Sequence, residues 1–130
     1  MPGSKVLLDT TAATAILNED SSAIALANDA QTILVPVIVL GELYWGALNS
    51  TYVQENMAKI HDLLTTKLLL NCDPDTALVY AEVFLKLRRK GKPIPQNDIW
   101  IAALAVQHNL IVATRDEHFD RVDGLSTVYW

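Results

Sequence analysis

Four carboxylates in this chain stand where solubility alone does not explain them. Asp9 closes the apolar run Lys5-Val-Leu-Leu-Asp9, and Glu42 is the only charge in the apolar segment 37–48. Asp98 opens the apolar segment 98–106, and Asp116 follows closely on Leu110-Ile-Val-Ala113. Taken singly, each has an ordinary explanation: Asp9 and Asp98 as helix-start residues, Asp116 as a turn residue, Glu42 as the partner of Arg88, Arg89, Arg115 or Arg121. Gathered at one place, they would act together. Clustered carboxylates repel, and a shared cation removes that penalty. All-oxygen ligation favours Mg²⁺ or Mn²⁺ over zinc. His61, His108 and His118 are scattered and read as surface or helix-end residues. A hard divalent ion on carboxylates suits phosphodiester hydrolysis, because it lowers the pKa of a bound water and stabilises charge on the phosphate. No Gly-x-Ser-x-Gly, phosphate loop or dinucleotide fingerprint competes with this chemistry.

The elements around these acids predict that they meet. Residues 99–106 are apolar on every side, which is the composition of a helix enclosed by protein, with Asn97 or Gln96 as its cap. The run 110–113 is too short for a helix and suits a strand covered on both faces. A helix packed antiparallel to such a strand brings Asp98 beside Asp116, at the carboxyl edge where α/β sheets bind ligands. The rest of the chain repeats the alternation. A first, central strand ends at Asp9, and Thr10-Thr11 caps a helix over 12–17; a second helix covers 22–28. A strand over 32–36 is stopped by Pro36 and followed by a helix over 37–48. Val53, Met57, Ile60 and Leu64 mark an amphipathic helix, and 68–71 a third strand. Asp73-Pro74 starts a helix with inner face Ala77, Tyr80, Ala81 and Phe84, ending near Arg89. His118, Phe119 and Val122 read as a turn packing back on the domain, before an edge strand over 125–130. The sum is a three-layer α/β/α sandwich with a mainly parallel central sheet.

The chain has 130 residues, 51% of them hydrophobic, which suffices for one domain with a proper core. Met1-Pro2-Gly3-Ser4 is set aside as a possible expression scar. No apolar run approaches the ~20 residues of a membrane helix, no signal-peptide pattern opens the chain, and the lone Cys72 excludes an internal disulfide; together these predict a cytoplasmic protein. A net charge of −5 argues against a general basic coat for nucleic acid, although a metal ion can supply the missing positive charge at an acidic pocket. Arg88, Arg89, Lys90 and Lys92 hold four of the ten basic residues and lead towards Asp98. They read equally as a helix end complemented by positive charge and as a phosphate-contacting rim.

Val6-Leu-Leu-Asp-Thr-Thr11, Val39-Leu-Gly-Glu-Leu-Tyr44, Pro95-Gln-Asn-Asp-Ile-Trp-Ile-Ala-Ala103 and Ala113-Thr-Arg-Asp-Glu-His-Phe119, in this order, resemble the PIN-domain family, and within it the VapC-type toxins of bacterial toxin–antitoxin modules. The likeness spans nearly the whole chain. It implies a Mg²⁺- or Mn²⁺-dependent endoribonuclease, usually dimeric, held inactive by a cognate antitoxin, for which the apolar N-terminal helices could form a groove. By position, Asp9, Asp98 and Asp116 would bind metal, Glu42 would complete the acidic site or orient the water, Thr114 would be a supporting hydroxyl, and Asn97 a further candidate. Thr11 stands where many members carry Asn or Ser, and its hydroxyl can still make the local hydrogen bond. The alternative is a non-cleaving PIN-like module that binds RNA or protein.

Overall fold

The computed structural model describes residues 4–130; Met1, Pro2 and Gly3, most of the tetrapeptide set aside above, lie outside them. β1 (Lys5–Leu8) is the centre of a five-stranded sheet. It is flanked by β2 (Thr32–Pro36) and β4 (Ile111–Ala113), with β3 (Leu68–Leu70) and β5 (Ser126–Val128) at the edges. Every pairing is parallel, with Val6 in register with both Ile33 and Ile111. Val6, Leu7 and Leu8 are wholly buried, as a strand covered on both faces requires. Because all strands point the same way, the residues that follow β1, β2 and β4 emerge along one edge. The ladder continues past the strands there: Asp9 N–H donates to Ala113 O at 3.2 Å and Thr114 N–H to Val128 O at 3.0 Å.

Helices α1 (Thr10–Leu17), α2 (Ser21–Asp29), α3 (Val37–Leu48) and α4 (Val53–Thr66) pack among themselves, and α5 (Pro74–Arg89) packs along α6 (Gln96–His108). These two groups are the outer layers of the sandwich. α6 buries Ile99, Ile101, Ala102, Ala103, Leu104 and Ala105, in line with its all-round apolar composition, and Asn109 in the left-handed conformation ends it. α5 runs antiparallel to α6, because the start of α5 is bonded to the end of α6: Gln107 Nε2 donates to Asp73 Oδ1 at 3.0 Å, and Thr76 Oγ1 to Gln107 Oε1 at 2.5 Å.

Three local expectations are corrected. The cap of α1 is Asp9, not Thr10-Thr11: its carboxylate accepts the Ala12 N–H at 2.8 Å, so the helix begins at Thr10. α6 is capped by neither Asn97 nor Gln96, both of which lie within its first turn. Pro95, with φ −57° and ψ 145°, ends the incoming extended chain and makes no side-chain cap. The inner face of α5 is Thr76, Val83 and Leu87, with Tyr80 and Phe84 at its margin; Ala77 and Ala81 face outwards. The bonds from Thr76 to Asp73 and Gln107 and the stacking of Tyr80 on Trp100, with ring centroids 4.0 Å apart, set this rotation.

Candidate functional site

The carboxyl edge of β1 and β4 carries the site. Asp9 is 3% exposed, and both of its oxygens are engaged. Oδ1 accepts from the Ala12 N–H and from Thr11 Oγ1, each at 2.8 Å, while Oδ2 accepts from Thr114 Oγ1 at 2.5 Å. Thr114 is fully buried, and its hydroxyl in turn accepts the Asp116 N–H at 2.8 Å. One hydroxyl thus ties the strand-end aspartate to the backbone that carries the next acid. Asp116 Oδ1 accepts the His118 N–H at 2.9 Å, which starts the 3₁₀ helix Glu117–Arg121; Phe119 then buries completely and anchors this turn to the core.

That turn returns the His118 ring over the acids. Its Nδ1 lies 3.0 Å from Asp116 Oδ2 and 3.5 Å from Asp98 Oδ2. Asp98, Asp116 and His118 each offer one ligand atom, and the three atoms lie within 4.8 Å of one another. The reading of His118 as a surface residue is therefore corrected. The signal for it in the sequence was its position two residues after Asp116, which a turn capped by that aspartate folds back on itself. His108 is the last residue of α6, as a helix-end residue should be, and His61 is exposed on α4.

Glu42 stands beside this group rather than inside it. Its Oε1 accepts from Thr10 Oγ1 at 2.9 Å, one residue along from the threonine that holds Asp9. Among the described residues no ion pair joins Glu42 to an arginine. Arg115 pairs with Asp20 at 3.4 Å and lies 4.5 Å from the centre of the Trp130 ring, and Arg121 donates to Pro93 O at 3.0 Å. Asn97 is exposed on the first turn of α6, outside the cluster. Of the basic run, Arg88 and Arg89 end α5, Lys90 is paired with Asp123, and Lys92 is exposed in the following loop. The cations that border the acids are instead Arg115 and Arg121, which line an open groove of about 410 Å³ together with Thr11, Asp116, Glu117 and His118.

Two of the acids hold their protons more tightly than usual. Burial pushes the Asp9 carboxyl up against the opposing effect of its three hydrogen-bond donors, and the nearby Asp116 charge adds to the rise. Burial also raises Asp98; His118 opposes that, and Asp116 and Asp9 reinforce it. A charge that is costly to leave bare is one a cation relieves. Two carboxylates and an imidazole nitrogen at one point, backed by a third, buried carboxylate, fit a six-coordinate divalent ion of the Mg²⁺ or Mn²⁺ kind; the nitrogen donor is better tolerated by Mn²⁺.

The PIN domain matches residues 6–125. "Ribonuclease VapC2" of Haemophilus influenzae is 37% identical over 97 residues, 74% of each chain. The "tRNA(fMet)-specific endonuclease VapC" of Shigella flexneri is 32% identical over 94 residues, 72% of this chain and 71% of that one. Among solved structures, VapBC2 of Rickettsia felis bound to a DNA fragment from its promoter superposes with a TM-score of 0.87 at 26% identity, over 97% of this chain and 98% of the other. The motifs, the parallel sheet and the acids at its carboxyl edge agree with these likenesses: the chain belongs to the PIN-domain family, among its VapC-type toxins.

Proposed function

We propose that this protein is the ribonuclease toxin of a toxin–antitoxin module, an endonuclease that hydrolyses RNA phosphodiester bonds with a divalent ion held by its carboxylates. The observation that carries the reading is the convergence of Asp98, Asp116 and His118 beside the buried Asp9. Asp9, Asp98 and Asp116 would hold the ion, with His118 as a further donor. Bound there, Mg²⁺ or Mn²⁺ supplies acidity to a water and screens the charge of the phosphate. Thr114 fixes the direction of the Asp9 carboxylate and, through the Asp116 N–H, the spacing of the two aspartates. Glu42, hydrogen-bonded to Thr10, would complete the acidic site or orient the attacking water. Arg115 and Arg121, on the rim of the groove, would meet the RNA phosphates, with Arg88, Arg89, Lys90 and Lys92 farther out.

The relatives named as ribonucleases, and the Rickettsia felis pair solved together as VapBC2, support an RNA substrate and a cognate antitoxin as partners. The proposal includes a cytoplasmic location, a single domain and self-association as a homodimer. Among the described residues no helix is long and apolar enough to cross a membrane.

Cleavage of defined RNAs, transfer RNA among them, tests the reading. Asp9→Asn and Asp98→Asn are expected to lower Mn²⁺-dependent cleavage by about 100-fold or more while the fold is retained. Cleavage that persists in both variants, or in chelator, would remove the assignment and leave the non-cleaving module as the better account.

A further inference from the structure

The groove beside the acids does not end at Asp116. Through Thr11 and Arg115 it runs into a second cavity, of about 520 Å³, along α1. Through Thr10, Thr14 and Asn18 that cavity runs in turn into a cleft of about 220 Å³ between α1, α3 and α4. Thr10, Thr14 and Asn18 follow at four-residue steps and so stand in a row along one side of α1. The course passes the acids twice, since the Thr11 hydroxyl is bonded to Asp9 and the Thr10 hydroxyl to Glu42.

The cleft is amphipathic. Leu43 and Ile60 are buried in its floor, and Asn18 and Lys59 are exposed at its rim. Among the described residues, no hydrogen bond or ion pair engages the Asn18 amide or the Lys59 ammonium. Lys59 shares the cleft with Glu42 and is not paired with it. Asn56, beside them, is tied to Ser50 Oγ at 2.9 Å.

We propose that this cleft is a binding arm for single-stranded RNA, taking the nucleotides on one side of the cut, with Lys59 on a phosphate and Asn18 on a base edge. A polyanion laid across a group of carboxylates is repelled on either side of a central cation, unless further cations receive its next phosphates. Arg115 and Arg121 supply them beside Asp116, and Lys59 is the cation in the cleft beyond Glu42. An amide side chain offers both donors and an acceptor, which suits it to a base edge. The apolar floor suits the face of an unpaired base. Sites of a few hundred cubic ångströms hold ligands of nucleotide size, so the strand enters unpaired. A partner helix anchored by apolar side chains alone would leave Lys59 and Asn18 unused. The inference rests on the endonuclease reading for where the cut falls.

An end-labelled pool of single-stranded RNA of randomised sequence tests it, cut by the full chain in Mn²⁺ and sequenced at the new ends. The parent is expected to show base preferences on both sides of the cut. Asn18→Ala should flatten the preference on one side and leave the other as it was. Lys59→Gln should raise KM about 5- to 10-fold with kcat within about twofold. It should also reduce the salt dependence of binding by about 0.7 in the log–log slope, and Lys59→Arg should restore both. Filter binding of the same pool to Asp98→Asn, with and without Lys59→Gln, reads the arm independently of cleavage, and about 5- to 10-fold weaker binding is expected. A Lys59→Gln chain with parental KM and affinity overturns the proposal and leaves the cleft to a protein partner. A parent without base preference, or an Asn18→Ala chain that keeps the parental one, overturns the assigned base contact. RNA bound through Lys59 but not cut refutes the nuclease reading alone; cutting that is indifferent to both substitutions refutes the arm alone.

Discussion

At the scale of single residues, one hydroxyl links two of the site's aspartates. Thr114 has no contact with solvent, donates to Asp9 and accepts from the backbone of Asp116. Without it, Asp9 loses the hydrogen bond that most strongly favours its charged form, and the Asp116 N–H loses its partner. Thr114→Val keeps the shape and removes both bonds. It is expected to cost about 1–3 kcal/mol in stability and to lower Mn²⁺ affinity by about 10- to 100-fold. Denaturant unfolding and calorimetric titration read the two effects, and Thr114→Ser should restore most of the affinity. Unchanged Mn²⁺ binding in the valine variant would show that the hydroxyl does not position the ligands. Thr11 plays a smaller part of the same kind: its hydroxyl reaches Asp9 Oδ1 at 2.8 Å, so the local bond expected of a residue at that position is made.

At the scale of elements, helix ends decide which side chains are committed and which stay available. Asp9 divides its two oxygens: one caps α1 and the other meets Thr114. The ordinary reading of Asp9 as a cap is therefore true and does not compete with the chemical one. Asp98 lies in a first turn that no side chain caps, where the helix dipole favours a carboxylate or a bound anion. α5 has the opposite character. Asp73 accepts from the Thr76 N–H at 2.9 Å in a full capping box and also holds Gln107 on α6. Asp73→Ala should destabilise the fold by about 1–2 kcal/mol and leave Mn²⁺ affinity unchanged, because this junction joins the start of α5 to the end of α6, the far end of that helix from Asp98. Chemical denaturation beside a metal titration checks both halves. A fall in affinity would mean that the α5–α6 packing sets the position of Asp98.

At the scale of the whole molecule, the cost of gathering acids appears as stability. Asp9 and Asp98 have pKa values raised by burial, so the folded state holds their protons more tightly than the unfolded chain does. Their contribution is greatest below the ordinary aspartate pKa of about 4 and is lost as pH rises through the raised value. In chelator, the unmodified chain should therefore lose melting temperature relative to Asp9→Asn as pH rises above about 4, and millimolar Mn²⁺ should restore it. The same pH trend in both chains would remove Asp9 as its source. Much of this architecture was legible in the sequence because it rests on local rules. Strands bounded by Pro36 and Asp9, the all-apolar composition of α6 and the Asp73-Pro74 start each specify their element without reference to the rest of the chain. So did the candidacy of the four acids, since a charge in an apolar segment needs a partner wherever that segment packs. What tertiary structure alone decided is how distant segments meet. It folded His118 back over Asp98 and Asp116, put Thr114 between Asp9 and Asp116, left Glu42 bonded to Thr10 beside the cluster, and turned Ala77 and Ala81 outwards. Local sequence fixes which groups a segment carries and its period; rotation about a helix axis and contact across a hundred residues depend on packing energies that no single segment contains.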